Sequence, residues 1–265
     1  TKNVTLSLNS SGIGTITSAQ IDNGSTDNCG IATRTLSKST FNCSNVGSNT
    51  IWLRVTDVNG NLDSVSAVVT VQDLIKPTVI TQNVTLNLDA SGSASITATQ
   101  VDNGSTDNCS IATRTISKSS FNCSNVGTNT IRLRITDVNG NVDSATAVIT
   151  VKELIKPTVI TKNVTVNLNS SGLGTITAVQ VDNGSSDNCS IATRTLSKSN
   201  FDCSNVGNTT IWLRVTDTGG NKDSASAVIT VQDLVKPTVI TKNVTVSLNS
   251  SGIGTITAAQ VDNGS

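Results

Sequence analysis

The stretch TIWLRVTDVNGNLDSVSAVVTVQ, residues 50–72, reads as two strands joined by a turn. Ile51, Leu53 and Val55 alternate with Trp52, Arg54 and Thr56, and Ala67, Val69 and Val71 alternate with Ser66, Val68 and Thr70. A period of two, rich in Val, Ile and Thr, marks a half-buried β-strand. Asp-Val-Asn-Gly-Asn at 57–61 supplies the turn, because Asn and Gly accept the positive φ that tight turns need. Val4, Leu6 and Leu8 repeat the alternation, and further turn clusters stand at 9–12 (Asn-Ser-Ser-Gly) and 22–25 (Asp-Asn-Gly-Ser). No window carries helical periodicity. About seven short strands per 80 residues, with turns every ten or so, predict an all-β immunoglobulin-like sandwich.

The pattern recurs. TKNVTLSLNS at Thr1 returns near-identically at Thr81, Thr161 and Thr241, a period of 80 residues, and 62 of the 80 positions in 1–80 are identical in 161–240. Pro77, Pro157 and Pro237 each follow a closing strand; proline fixes an extended entry and has no place in a central strand. The expected domains are therefore 1–75 (lacking its first strand), 76–155, 156–235 and the start of a fourth at 236–265. Linkers this short predict tandem sandwich domains in an extended rod. Trp52 and Trp212 should face outward, because Arg132 takes their place in the middle repeat and is rarely buried unpaired.

Composition narrows the function classes. Lys plus Arg and Asp plus Glu both number 18, without a basic cluster, which argues against nucleic acid and anionic membrane as partners. No apolar run is long enough for a signal peptide or a membrane span, Met is absent, and both ends fall inside a repeat, as in a piece of a longer chain. Five aromatic residues imply cores of Val, Ile and Leu. There is no His, so the usual general base and metal ligand are missing, and any other catalytic group would be copied in every repeat on an open sandwich; the expectation is no enzyme. Cys29 and Cys43, Cys109 and Cys123, and Cys189 and Cys203 stand 14 apart, which reads as one disulfide within each domain and an oxidising, extracellular location. Closing such a loop is worth about 3 kcal/mol.

Asp-Asn-Cys before a strand, a second Cys, then Val-Thr-Asp-Val-Asn-Gly-Asn and a closing Val-Thr-Val-x-Asp-x-x-x-Pro together resemble the hyalin repeat, an immunoglobulin-like module. The versions they resemble most are stacked in giant surface adhesins and gliding-motility filaments exported by the bacterial type 9 secretion system. The resemblance implies a cell-surface stalk or filament whose partners are other repeats of the same chain, other filament chains or surface glycans. The alternatives are a glycan- or surface-binding array and a purely structural fibre or surface layer. It also implies O-linked sugar on Asp-Ser followed by a small apolar residue, hence at Ser64, Ser144 and Ser224.

Acidic residues point to a cofactor. All but Asp89 and Asp202 fall in five repeated columns, each in a turn or linker. If the termini lie at opposite poles of each domain, the acidic turns face the preceding domain and meet the linker carboxylate. Asp73, Asp102, Asp107, Asp137 and Asp143 should then converge at one junction, and Glu153, Asp182, Asp187, Asp217 and Asp223 at the next. Crowded carboxylates with Asn and backbone oxygens suit calcium. Asp217-Thr218-Gly219-Gly220-Asn221 lacks the middle Asn as a side-chain ligand. The bland alternative is that Asp and Asn simply make good turns.

Overall fold

The computed structural model describes residues 1–265, which form two compact units, Thr1–Leu154 and Ile155–Ser265. In the first unit, repeat 1 runs β1 (Val4–Ser7), β2 (Ile13–Thr15), a helical turn α1 (Ser18–Ile21), β3 (Ile31–Leu36), β4 (Thr40–Asn42), a 3₁₀ turn Cys43–Asn45, β5 (Gly47–Asp57) and β6 (Leu62–Gln72). Strands β1, β6, β5 and β3 form one sheet in that order, and β2 pairs with β4 in a second. The predicted hairpin is β5–β6, antiparallel from Gly47↔Val71 to Thr56↔Leu62, while β1 runs parallel to β6 from Val4↔Val69 to Ser7↔Gln72. Repeat 2 copies this with β7 (Val84–Asn87), β8 (Ser93–Ser95), α2 (Ala98–Val101), β9 (Ile111–Ile116), β10 (Ser120–Asn122), β11 (Gly127–Asp137) and β12 (Val142–Lys152).

The second unit holds repeat 3, with β13 (Val164–Asn167), β14 (Leu173–Thr175), α3 (Ala178–Val181), β15 (Ile191–Leu196), β16 (Asn200–Asp202), β17 (Gly207–Asp217) and β18 (Lys222–Gln232). It closes with the start of a further repeat carrying α4 (Ala258–Val261). The chain is thus a tandem array of all-β sandwiches. No helix is long and apolar enough to cross a membrane.

Each core lies between the two sheets. In repeat 1 the inward residues Ile51, Leu53, Ala67, Val69 and Val71 pack against Leu8, Ile16, Ile21 and Phe41. The alternation puts Trp52 and Trp212 on the outer face, 48% and 49% exposed. Two features depart from the sequence reading. Phe41, Phe121 and Phe201 are buried, one per core, so the cores are not purely aliphatic. Each repeat also has a helical turn, four residues long, too short to show a period; in repeat 1 the Thr17 N–H donates to Gln20 Oε1 at 2.7 Å across its first turn, half of a capping box.

Six strands per repeat are joined by an extended edge segment after the proline. In repeat 2, Thr78 and Thr106 exchange backbone hydrogen bonds of 2.8 and 3.1 Å, and Thr81 bridges Asp102. In repeat 1 the corresponding place is a cavity of about 350 Å³ lined by Thr26, Ile31, Leu53, Val55, Leu62 and Val65. Val55 is accordingly half-buried, where its counterparts Ile135 and Val215 are fully buried.

Candidate functional site

The predicted pairing of cysteines within a domain is overturned. Cys43 of repeat 1 is bonded to Cys109 of repeat 2, 66 residues on, with Cα atoms 5.3 Å apart. Cys123 and Cys189 are also disulfide-bonded, whereas Cys29 and Cys203 are free and exposed. Topology explains why Cys29 cannot reach Cys43. Cys29 precedes Ile31, which pairs with Asp57 at one end of β5; Cys43 lies just before Gly47 at the other end. Eleven extended residues separate those ends by roughly 35 Å, far beyond the Cα distance of about 7 Å that a disulfide can bridge.

The bond seats a repeat 2 loop on repeat 1. Cys109 is 8% exposed and belongs to the hydrophobic cluster of repeat 1. The preceding residue, Asn108, donates from Nδ2 to the Asn9 carbonyl at 3.4 Å. Gly12 permits the approach: its φ is +71°, and a Cβ there would stand 2.7 Å from Cys43 Sγ and 2.8 Å from the Asn108 carbonyl oxygen.

Beside the disulfide lies a carboxylate cluster. Asp73 follows β6 in the connecting segment, Asp107 is two residues before Cys109, and Asp137 ends β11; one carboxylate oxygen from each lies within 4.8 Å of the others. Asp73 and Asp137 are 5% and 2% exposed. Side-chain amides hold Asp73 in place: Asn108 Nδ2 donates to its Oδ1 at 3.1 Å, Asn139 Nδ2 to its Oδ2 at 2.8 Å and Asn141 Nδ2 to its backbone carbonyl at 3.1 Å. Asp137 accepts the backbone N–H groups of Asn139 and Asn141 on Oδ1, both at 2.8 Å, and Asn141 Nδ2 on Oδ2. Asp107 Oδ1 accepts the N–H groups of Cys109 and Ser110 at 2.8 and 3.1 Å, which tethers the cluster directly to the disulfide. Ser110 adopts a φ of +122°, a conformation that favours glycine, and its repeat 1 counterpart is Gly30.

Of the five residues expected at this junction, the structure gathers three. Asp102 is engaged elsewhere, its Oδ2 on Arg114 at 2.6 Å and its Oδ1 on Ser105. Asp143 accepts the N–H of Ser144 at 2.8 Å and is not one of the clustered carboxylates. The same Arg–Asp pair recurs in the other repeats. Arg34 pairs with Asp22 at 2.7 Å and Arg194 with Asp182 at 2.6 Å. Asp22 is held at about 2, below its ordinary 3.8, chiefly by the Ser25 hydroxyl and N–H and further by Arg34.

In the second unit, Asp217 is 2% exposed and accepts Asn221, and Asp223 accepts Ser224 N–H. Glu153, in the first unit, is 3% exposed. The turn of repeat 3 has Gly219 where repeat 2 has Asn139, whose role is to donate to the linker carboxylate. Ser64 and Ser224 are exposed and Ser144 half-buried on their long strands.

The cluster suits a hard cation. No ion pair reaches Asp73, Asp107 or Asp137. Carboxylates at this spacing repel by roughly 3 kcal/mol per pair at an effective dielectric of about 20. Two wholly buried oxygens beside them, Asp107 Oδ2 and Asn108 Oδ1, accept no hydrogen bond. Buried polar atoms without partners are uncommon and need an explanation, and an all-oxygen donor set of this kind fits calcium rather than zinc.

No family model matches the chain, and no curated protein matches it. Among solved structures it is similar to the protocadherin gamma B7 extracellular cadherin domains 1–4, with a TM-score of 0.31 and 14% identity over 72% of this chain and 59% of that one. It is similar also to mouse cadherin-23 EC22–24, with a TM-score of 0.33 and 14% identity over 74% and 78%. Against the protocadherin gamma B4 extracellular domain the chain spans 39% of the structure's length. These are strings of extracellular domains, and the likeness is too distant to give any residue here a role.

Proposed function

We propose that the chain is a stalk or filament segment of a large extracellular repeat adhesin on a bacterial cell surface, serving adhesion or gliding motility. The carrying observation is the covalent bond from Cys43 to Cys109, which fastens one repeat to the next beside a connecting segment whose Asp73 is gripped by three side-chain amides. Such joints suit a stiff spacer, and disulfides suit an oxidising location. The domains run 1–75, 76–155, 156–235 and 236–265, with the proline of each segment opening a domain. Calcium fills the junction at Asp73, Asp107 and Asp137 and offsets their charge. The resemblance to hyalin repeats and to type 9-secreted filaments supports the bacterial surface setting, and with it O-linked sugar at Ser64, Ser144 and Ser224. The partners are neighbouring repeats and other filament chains.

A glycan- or surface-binding array draws support from half-exposed Trp52 and Trp212, but Arg132 interrupts that column. Calcium titration by calorimetry, with thermal melting in chelator, tests the reading. Binding between tens of micromolar and millimolar, with a lower melting temperature after chelation, is expected. An absence of binding together with an unchanged melting temperature overturns the calcium clamp.

A further inference from the structure

We infer that the inter-repeat disulfide controls the cation site, so that reducing Cys43–Cys109 loosens the ion and a bound ion protects the disulfide. The inference rests on the calcium reading above and adds its regulation. Three consecutive residues carry it. Asp107 supplies a carboxylate to the cluster and a buried oxygen without a partner. Asn108 donates to Asp73, has a buried, unpartnered Oδ1, and its carbonyl lies 3.4 Å from Cys43 Sγ. Cys109 forms the bond itself while its N–H anchors Asp107 Oδ1 at 2.8 Å.

One loop is therefore shared between the disulfide and the cluster. Asp137 is fixed by Asn141, and Asp73 Oδ2 by Asn139, without any part of the Cys109 loop. Asp107 and Asn108, in contrast, sit in a loop that Cys109 ties covalently to repeat 1. Once that tie is released, the loop keeps its backbone anchors within repeat 2, Thr106 on Thr78 and the Ser110 carbonyl on Val138 N–H at 3.1 Å, but against repeat 1 it retains only the Asn108 contacts to Asn9 and Asp73, and the Asn108 side chain gains the freedom to turn to water. A dithiol reductant supplies two electrons and two protons; the S–S bond breaks to two thiols, and the dithiol closes to its own disulfide. Because binding and reduction share the loop, each must bias the other equally in free energy.

The test equilibrates the intact chain in a dithiol–disulfide redox buffer, with alkylation and peptide mapping reading Cys43 and Cys109 individually, in saturating calcium and in chelator. At least a tenfold higher dithiol-to-disulfide ratio for half-reduction of this bond in calcium is expected. In parallel, calcium binding is measured by calorimetry on the oxidised chain and on C43S/C109S, with circular dichroism to verify that the variant is folded. At least tenfold weaker binding at one site is expected. If a folded variant binds as tightly as the oxidised chain and reduction is indifferent to calcium, the inference falls while the calcium clamp stands. If neither form binds, both fall. Should the variant not fold, the redox equilibrium in calcium and in chelator alone decides.

Discussion

Replacing Cys29 with alanine should leave stability unchanged, whereas replacing Cys43 or Cys109 should cost about 4 kcal/mol, and the contrast is decisive for the joint between repeats. The magnitude follows from loop closure: a crosslink spanning 66 residues removes roughly 4 kcal/mol of unfolded-state entropy. A bond within the repeat, closing 14 residues, would be worth about 3 kcal/mol, so the size of the loss alone cannot separate the two pairings. The identity of the sensitive cysteine can. Cys29 is exposed and free, while Cys109 is 8% exposed in the core cluster of the preceding repeat. Urea unfolding of the single variants, followed by circular dichroism with non-reducing peptide mapping of the parent, makes the measurement. Equal losses from C29A and C109A, or a Cys29–Cys43 peptide in the map, would refute the inter-repeat bond.

Other outcomes follow from the same geometry. Gly12→Ala should cost about 2–4 kcal/mol, combining the left-handed backbone with contacts to Cys43 and the Asn108 carbonyl. Gly24→Ala, at a φ of +89° with open space around it, should lose only the backbone share of about 1–2 kcal/mol; equal losses in urea unfolding would contradict the close approach. Iodide should quench the fluorescence of both Trp52 and Trp212, and a blue-shifted, unquenched indole would contradict their outward placement. Asp22 has a folded value of about 2 against 3.8, so its contribution is present above pH 4 and is lost as pH falls through 2. Ser25→Ala should raise the Asp22 value in a carboxyl-carbon NMR titration; an Asp22 that already titrates near 4 in the parent would remove the basis for this.

The β5–β6 hairpin, the strand β1 and the turn at 57–61 were legible because alternation and turn chemistry are local; the parallel pairing of β1 with β6 was not. Nor was the cysteine partner. The separations of 14 and 66 together make one 80-residue period, so a periodic sequence offers both pairings to every internal cysteine, and only the placement of Cys29 and Cys43 at opposite ends of β5 decides. The acidic columns were legible as a group, and Asp73, Asp107 and Asp137 do converge. Asp102 departs because Arg114, 12 residues later and across a turn, captures it, a pairing without a local sequence signature. The helical turn did leave a trace: Thr-x-x-Gln stands at 17–20, 97–100, 177–180 and 257–260, the spacing of a capping box, yet a single turn is too short to produce periodicity.

The covalent shortcut also changes how the chain carries tension. A pull entering at Thr1 travels along the backbone to Cys43, crosses to Cys109 and continues into repeat 2 without passing through the chain between them. The long hairpin of repeat 1, the connecting segment and the first strands of repeat 2 all lie inside that loop, shielded from load. Extended fully, those residues would pay out roughly 200 Å of slack. In the oxidised protein none of that length can be drawn out, even if the sandwich itself gives way, so the joint sets a limit on extension that folding energy alone could not impose.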